Sequence, residues 1–408
     1  MTKILKLTSP PENPSMRIED DRHLKGKGKF ISDINFENET YAYFLRSIHA
    51  HAFIKSIDTS ALNSLPGVLG VITRDDISKS GLGGIPALAS PIGNDGRKAK
   101  VTPRSLLASD KVRFVGEEVA MVIANTLEEA KEAADLIIVN YETICSVSDA
   151  KSATDDKSPT LHSVAPKNLC LEWEHGNKET IAQTFKAADH VVELSLYNNR
   201  VAVTPMETRS AIGTFDKVSS TYSLFAGTQG VHLVRDALAE HVFKIPKNLI
   251  RVVTPDVGGA FGTKIWIYPE YALVMFAAKK YNRPVKWVAE RSEGFQSDSQ
   301  GRDRYSFAEM ALDASGRILG LRVNNIANLG AYCSNFGAIV PTTGSSKALT
   351  GPYEISSVHV KTKVVYTNTT PTDAYRGAGR PEHSFLMERL MDSAANQLGI
   401  DRLTIRER

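Results

Sequence analysis

The chain is organised around one stretch, Thr254-Pro255-Asp256-Val257-Gly258-Gly259-Ala260-Phe261-Gly262-Thr263-Lys264. Three glycines surround one aromatic residue, and side-chain packing alone does not explain that pattern. The apolar residues 249–253 predict a short strand before the stretch, and residues 269–280 predict a helix after it. Glycine permits positive φ and leaves backbone N–H groups uncovered, so this strand-to-helix turn predicts a site for an anion or a flat polar ring. A tight turn that needs glycine only for its own conformation accounts equally well for these residues.

Two familiar phosphate-binding motifs do not fit this stretch. The spacing of Gly258, Gly259 and Gly262 differs from the Gly-x-Gly-x-x-Gly of dinucleotide-binding folds. Ile265 follows Lys264, where a P-loop requires a serine or a threonine. The sequence therefore disfavours a stand-alone dinucleotide-binding dehydrogenase.

Composition narrows the class of protein. A chain of 408 residues predicts roughly two to three domains, at about 100–200 residues each. Its 49 basic and 46 acidic residues are dispersed and leave a net charge of +3, which predicts no binding to nucleic acid or to a membrane. No apolar run reaches the ~18 residues needed to span a bilayer, and residues 1–7 lack the apolar core of a signal peptide. We expect a cytoplasmic protein.

The cysteines and histidines show no metal-binding pattern. Cys145, Cys170 and Cys333 are odd in number and far apart, which argues against a disulfide framework and against an iron–sulfur cluster in this chain. His49 and His51 lie close together, but the sequence contains no His-Glu-x-x-His motif. We expect no metal ion to be bound directly by side chains.

The hydrophobic pattern predicts an α+β protein with two structured regions. The predicted parts are an N-terminal extension at residues 1–16, a first domain at 17–150, a linker at 151–167 and a second region at 168–408. The clearest feature of the first domain is a strand–helix–strand unit at residues 118–139. Its helix begins with Thr126 and Glu129, which are spaced as a capping box.

The second region contains another strand–turn–helix unit. A strand predicted at residues 221–226 ends close to Gln229, and a helix predicted at residues 231–242 follows. Two such units in series predict a ligand at the strand ends, with Gln229 and the glycine turn facing one cleft. Further on, residues 305–312 and 318–328 predict a long β-hairpin.

A polar, glycine-containing segment at residues 367–382 precedes a helix predicted at residues 384–398. Arg376 and Arg380 flank small residues in this segment, which suits the binding of an oxyanion or a phosphate. A salt-bridged surface loop accounts for the same two arginines. The residues alone leave both interpretations open.

Two sets of motifs occur in collinear order over residues 17–408. The first set is Leu45-Arg46-Ser47-Ile48-His49-Ala50-His51-Ala52, Leu65-Pro66-Gly67-Val68, Phe114-Val115-Gly116-Glu117-Glu118-Val119-Ala120 and Tyr141-Glu142. The second set is Pro205-Met206-Glu207, Gly227-Thr228-Gln229, Val257-Gly258-Gly259-Ala260-Phe261-Gly262, Arg283-Pro284-Val285-Lys286 and Ala374-Tyr375-Arg376-Gly377-Ala378-Gly379-Arg380-Pro381. Together they resemble the molybdenum-binding large subunits of the xanthine dehydrogenase, aldehyde oxidase and carbon monoxide dehydrogenase family. The resemblance implies an N-terminal α/β hammerhead domain followed by the first half of a mixed α+β molybdopterin-binding domain.

The resemblance also implies a reaction and a set of site residues. Members of the family hydroxylate an aldehyde or an electron-poor ring carbon with oxygen from water, and a glutamate serves as general base. By resemblance, Gln229 forms a hydrogen bond to an oxo ligand of molybdenum, and Arg376 faces the active site. The residues implied to place backbone groups beside the metal are Gly258, Gly259, Ala260, Phe261 and Gly262. Glycine N–H groups and an arginine suit an anionic, phosphate-bearing cofactor.

Several positions depart from the family pattern. Ile265 stands where purine-oxidising members carry a glutamate, which disfavours purine oxidation. Ala378 leaves space in the substrate pocket where other members carry an aromatic residue. Gly377 stands where carbon monoxide oxidisers carry the cysteine that bridges to copper, so we expect no copper–molybdenum site. No glutamate in this sequence matches the family's general base. We expect Glu207 to be structural and Glu270 to cap a helix.

The family's large subunits continue for roughly as long again as this chain. The resemblance therefore implies a second chain that carries the rest of the molybdenum domain and the general base, without which this chain is inactive. It also implies a small subunit with 2Fe-2S clusters, a medium subunit with FAD, and the cytosine dinucleotide form of molybdopterin. The alternative is a non-catalytic remnant or an assembly module of such a complex. Retention of Gln229, the glycine turn and Arg376 together favours the enzyme.

Overall fold

The computed structural model describes residues 17–408, and the predicted extension at residues 1–16 lies outside them. The helices are α1 (Asp20–Leu24), α2 (Arg74–Ser80), α3 (Leu127–Asp135), α4 (Lys178–Ala187), α5 (Val231–Ala237), α6 (Pro269–Tyr281), α7 (Arg291–Ser297), α8 (Arg380–Leu398) and α9 (Arg402–Arg406). The strands are β1 (Thr40–Arg46), β2 (Ala52–Asp58), β3 (Val68–Ile72), β4 (Lys111–Val112), β5 (Glu118–Ala124), β6 (Ile138–Thr143), β7 (Leu169–Gly176), β8 (His190–Asn198), β9 (Ser210–Asp216), β10 (Thr221–Ala226), β11 (Ile250–Val253), β12 (Val285–Val288), β13 (Arg304–Leu312), β14 (Ile318–Asn328) and β15 (Ser357–Val365). The fold is α+β, as the sequence predicts.

The largest sheet joins the two predicted regions. Its strand order is β11-β10-β9-β12-β1-β5-β3. Parallel pairing of Thr40 with Val285 and of Tyr41 with Lys286 connects β1 to β12. Every residue of β5 is buried, as expected for an internal strand that is covered on both faces. The first predicted domain and the second predicted region therefore share one sheet.

A second sheet has the order β7-β15-β14-β13-β8 and contains the predicted hairpin. The antiparallel pairing of β13 with β14 runs from Arg304 opposite Ala327 to Leu312 opposite Ile318. In the turn, the Asp313 carboxylate accepts hydrogen bonds from the N–H groups at positions 315 and 317, both at 2.9 Å. The hairpin prediction is confirmed.

The strand–helix–strand prediction is right about the order of elements and wrong about their pairing. The capping box is present, because Thr126 and Glu129 exchange hydrogen bonds of 2.9 and 3.2 Å. However, β6 pairs antiparallel with β2 in a third sheet, β4-β2-β6, whereas β5 lies between β1 and β3. An apolar pattern predicts that a strand is buried, but it does not select the neighbouring strand.

Helix α6 is buried along most of its length. It packs so closely on β9 that a Cβ atom at Gly213 would lie 2.4 Å from the Val274 carbonyl oxygen. A short 3₁₀ helix, Thr263–Ile265, separates the glycine turn from α6. The glycines therefore lie in a longer loop, and their N–H groups do not form the N-terminus of α6.

The predicted linker, residues 151–167, contributes to the core of the second sheet. Ala153 and Leu161 are buried in the same hydrophobic cluster as residues of β7 and β13. The Asn168 side chain accepts a hydrogen bond from the Leu161 N–H at 2.9 Å and donates to the Ala153 carbonyl oxygen at 2.9 Å. This segment is packed against the protein, and the exact domain boundaries stay a prediction.

Candidate functional site

Two loops that the sequence predicts to share a cleft, and a third that only the family resemblance places there, meet in the structure. They are residues 227–230 after β10, residues 254–262 after β11 and residues 374–379 before α8. Gln229 Oε1 accepts a hydrogen bond from the Gly262 N–H at 2.9 Å. The Arg376 N–H donates to the Phe261 carbonyl oxygen at 2.9 Å. A Cβ atom at Gly262 would lie 2.3 Å from the Ala374 carbonyl oxygen, so this close approach requires glycine.

The glycine turn offers fewer free backbone donors than its sequence suggests. The Gly258 N–H donates to Glu207 Oε2 at 2.8 Å, and the Gly262 N–H is used by Gln229. Three consecutive N–H groups have no acceptor within residues 17–408, namely those of Gly259, Ala260 and Phe261. Adjacent unpaired N–H groups of this kind can bind an anionic oxygen.

A buried ion pair connects the loops beneath the glycine turn. Lys264 Nζ donates to Glu207 Oε2 at 2.7 Å, and the two side chains are only 1% and 13% exposed. Burial lowers the pKa of Lys264, although the Glu207 carboxylate opposes this effect. Backbone hydrogen bonds also connect the loops. The Glu207 N–H donates to the Gly258 carbonyl oxygen, and the Gln229 N–H donates to the Lys264 carbonyl oxygen, both at 3.0 Å. These contacts agree with the structural role expected for Glu207.

The two arginines that the sequence singles out around the third loop have different environments. The Arg376 guanidinium is exposed, lies 5.8 Å from the centre of the Phe261 ring and has no carboxylate partner in the part of the chain that the structure describes. Arg380 is the first residue of α8, so this helix begins earlier than predicted. The ion pair in this region is instead formed by Arg302 and Glu382, at 3.1 Å. Within the described residues, the segment 367–382 is therefore salt-bridged through Glu382, and not through Arg376 or Arg380.

The two predicted substrate-pocket residues are both half-buried. Ala378 has a φ of +48° and lies between Gly377 and Gly379, whose φ values are +96° and +88°. Ile265 packs against the hydrophobic cluster that includes α6. Their roles in substrate selection stay predictions.

The expectation that Glu270 caps a helix is wrong. Its side chain makes no capping hydrogen bond, and its carboxylate binds Arg209 at 3.0 and 3.1 Å and Arg46 at 2.8 Å. Burial opposes ionisation, but Arg209 and Arg46 hold the pKa of Glu270 well below its usual range. Arg46 also pairs with Glu118 and Glu293, at 2.8 and 2.5 Å. This network links β1 and β5 to α6 and α7, and no spacing in the sequence indicated it.

The donors of the candidate site fit an anionic group. Besides the three N–H groups of residues 259–261, the Gln229 Nε2 group has no acceptor within residues 17–408, and Arg376 supplies a free guanidinium. The carboxylate beside these groups, Glu207, is neutralised by Lys264. A cluster of donors without a competing carboxylate suits the oxo, dithiolene and phosphate groups of a molybdopterin cofactor.

Among residues 17–408, no three His, Cys, Asp or Glu side chains form a cluster that could hold a metal ion. The same residues include no helix with both the length and the apolar character needed to cross a membrane. Cys145 is exposed, whereas Cys170 and Cys333 are buried, and all three are free thiols.

Known protein families match nearly the whole chain. Residues 161–408 match the molybdopterin cofactor-binding domain, and residues 25–144 match the a/b hammerhead domain of aldehyde oxidase and xanthine dehydrogenase. The carbon monoxide dehydrogenase large chain of Hydrogenophaga pseudoflava is 32% identical over 402 residues, which are 95% of this chain and 49% of that relative. The crystal structure of quinoline 2-oxidoreductase from Pseudomonas putida 86 matches with a TM-score of 0.88 and 32% identity, over 96% of this chain and 49% of that one.

This chain thus spans about half the length of these two relatives. A third relative is closer to it in length. The nicotinate dehydrogenase large molybdopterin subunit of Eubacterium barkeri is 28% identical over 393 residues, which are 96% of this chain and 87% of that subunit.

Proposed function

Because the chain belongs to the xanthine dehydrogenase, aldehyde oxidase and carbon monoxide dehydrogenase family of molybdenum-binding large subunits, we propose that it forms half of the molybdenum domain of a hydroxylase. The reaction is oxidation of an aldehyde or an N-heterocycle with oxygen derived from water. The observation that carries this proposal is the meeting of three loops around unpaired donors, namely residues 259–261, Gln229 and Arg376.

Each of these groups has a distinct part in the proposed site. When bound, the molybdenum cofactor supplies the redox chemistry that adds water-derived oxygen to carbon. The Gln229 Nε2 group donates to an oxygen of the cofactor, and the N–H groups of residues 259–261 bind anionic oxygen. Gly258 and Gly262 give the loop its shape, while Arg376 offsets negative charge. The buried ion pair of Lys264 and Glu207 connects the loops.

The pocket residues and the relatives support the proposed substrate class. Quinoline and nicotinate, which appear in the names of two relatives, are N-heterocycles. Ile265 offers no carboxylate to a purine, and Ala378 leaves room beside the third loop. Gly377 lacks the thiol that copper requires. We therefore do not propose carbon monoxide oxidation for this chain, although it is similar to carbon monoxide dehydrogenase.

A further polypeptide segment completes the pocket in this proposal. Gln229 and Arg376 are exposed, and Phe261 is 44% exposed, so the candidate site is open on one side. We place the general-base glutamate on a second chain, and the length of the Eubacterium barkeri relative supports such a division. Steady turnover by the isolated, cofactor-loaded chain would exclude this part of the proposal.

The electrons leave through other subunits of the complex. We propose a small subunit with 2Fe-2S clusters and a medium subunit with FAD, because this chain shows no cysteine pattern for a cluster and no dinucleotide fingerprint. The proposed cofactor form is molybdopterin cytosine dinucleotide. A cytoplasmic location and the division into domains at residues 17–150 and 168–408 remain predictions.

The experiment that tests the function compares Gln229→Ala and Arg376→Ala in the complex isolated with its co-purifying chains. Molybdenum and released cytosine nucleotide are measured per chain. Matched controls are Gln183→Ala in α4 and Arg251→Ala in β11, since both side chains are exposed and lie outside the three loops. We expect the two site variants to lose most of the cofactor. Stability should change by about 0.5 kcal/mol or less in Arg376→Ala and by about 0.5–1.5 kcal/mol in Gln229→Ala, which also removes the hydrogen bond to the Gly262 N–H.

The rival function is a non-catalytic remnant or assembly module. It predicts that the site variants keep their partner chains and behave like the controls in every measurement. Cofactor loss confined to Gln229→Ala and Arg376→Ala would support the enzyme. A wild-type complex that contains neither molybdenum nor pterin would support the assembly module.

A further inference from the structure

Two consecutive residues beside the candidate site have a strained backbone. Arg302 and Asp303 both have a φ of +66°, in the left-handed region that residues with a Cβ atom rarely adopt. Such strain persists only where surrounding contacts fix it. The Asp303 carboxylate supplies these contacts by accepting hydrogen bonds from Arg200 at 2.8 Å, Asn328 at 2.9 Å and Tyr197 at 3.2 Å.

The strained backbone directs the Arg302 side chain to the third loop. Its guanidinium donates to the Arg376 carbonyl oxygen at 2.7 Å and to the Tyr375 carbonyl oxygen at 3.2 Å. It also pairs with Glu382 of α8 at 3.1 Å and lies 4.9 Å from the centre of the Tyr375 ring. One planar guanidinium can bind two carbonyls and a carboxylate together, whereas a lysine ammonium lacks this fork.

Arg376 is therefore fixed through its backbone on both sides. Its N–H donates to the Phe261 carbonyl oxygen of the glycine turn, and its carbonyl oxygen accepts from the Arg302 guanidinium. The Arg376 guanidinium itself has no carboxylate partner within residues 17–408. Close packing of Gly301 against Tyr375 also holds this loop. A Cβ atom at Gly301 would lie only 2.4 Å from the Tyr375 Cβ atom, so the contact requires glycine.

We propose that Arg302 is a positioning residue that holds the loop of Arg376 against the glycine turn, so that Arg376 is oriented toward the cofactor before the cofactor binds. The inference rests on the proposed function for the identity of the ligand, but not for the loop contact itself. Arg302 touches no part of the glycine turn directly, and it acts only through residues 375 and 376.

The test uses Arg302→Met and Arg302→Lys in the isolated complex. Amide hydrogen exchange is measured for residues 375–380, where the Arg376 and Ala378 N–H groups are hydrogen-bonded to Phe261 and Tyr375. Molybdenum and pterin are measured per chain in the same samples. The matched control is Arg322→Met, because Arg322 makes a two-pronged pair with Glu309 at 2.5 and 2.6 Å away from the loops.

We expect Arg302→Met to speed exchange in this segment by about tenfold or more, as loss of hydrogen bonds to a charged donor implies. Pterin content should fall, Arg302→Lys should be intermediate, and Arg322→Met should match wild type in both measurements. The lysine variant also decides the question if the methionine variant does not fold.

Unchanged exchange at residues 375–380 in both Arg302 variants would overturn the inference. Faster exchange with full pterin content would also overturn it, because the loop would then be loosened without any effect on the cofactor. A wild-type complex that lacks pterin contradicts the proposed function instead. In that case the exchange measurement alone decides whether Arg302 holds the loop.

Discussion

Replacing Lys264 with methionine removes the cation from the ion pair beneath the glycine turn while keeping an unbranched side chain of similar length. The Glu207 carboxylate, which is only 13% exposed, then keeps the Gly258 N–H as its remaining partner. Its second oxygen already has no hydrogen-bond partner within residues 17–408. Removing one member of a buried ion pair costs about 3–5 kcal/mol.

The assay is urea unfolding at pH 7, with the loss in free energy of unfolding taken from the shift in midpoint. The double variant Lys264→Met/Glu207→Gln should recover part of it. The control is Lys280→Met, which breaks a partly exposed pair with Asp76 and should cost about 1 kcal/mol or less. The reasoning is refuted if Lys264→Met costs no more than this control, or if the double variant is no better than the single one.

Two further perturbations test buried charges around the site. Burial raises the pKa of Asp373 to about 6, so the proton it retains stabilises the folded state below the unfolded pKa, and this stabilisation is lost as the pH rises through about 6. Wild type should therefore lose about 2 kcal/mol relative to Asp373→Asn between pH 4 and pH 7, measured by unfolding at each pH, and parallel curves would contradict this. Arg46→Met removes the shared cation of Glu118, Glu270 and Glu293 and should cost at least about 3 kcal/mol at pH 7, with Arg46→Lys intermediate. A loss below about 1 kcal/mol in thermal or urea unfolding would show that the network contributes little.

Local features of the sequence were sufficient to predict many elements of the fold. The hairpin of β13 and β14 and the capping box of α3 depend on alternation and on residues three positions apart, so short stretches determine them. The loop of Gln229 and the glycine turn were also predicted to face one cleft, because turns at strand ends converge on one edge of a sheet. The loop of Arg376 was placed there only by the family resemblance. The roles of Gln229 and Arg376 toward a ligand stay predictions.

The sequence by itself determined the class of fold, the order of its elements and the residue types that surround the candidate site. Only the tertiary structure decided which partners those residues have. It placed β5 and β6 in different sheets and assigned the Gly258 N–H to Glu207. It also paired Glu270 with two arginines and Arg302 with the loop of Arg376. The physical reason is that helix and turn preferences act over a few residues, whereas strand pairing and buried ion pairs depend on groups far apart in the chain, which no local pattern brings together.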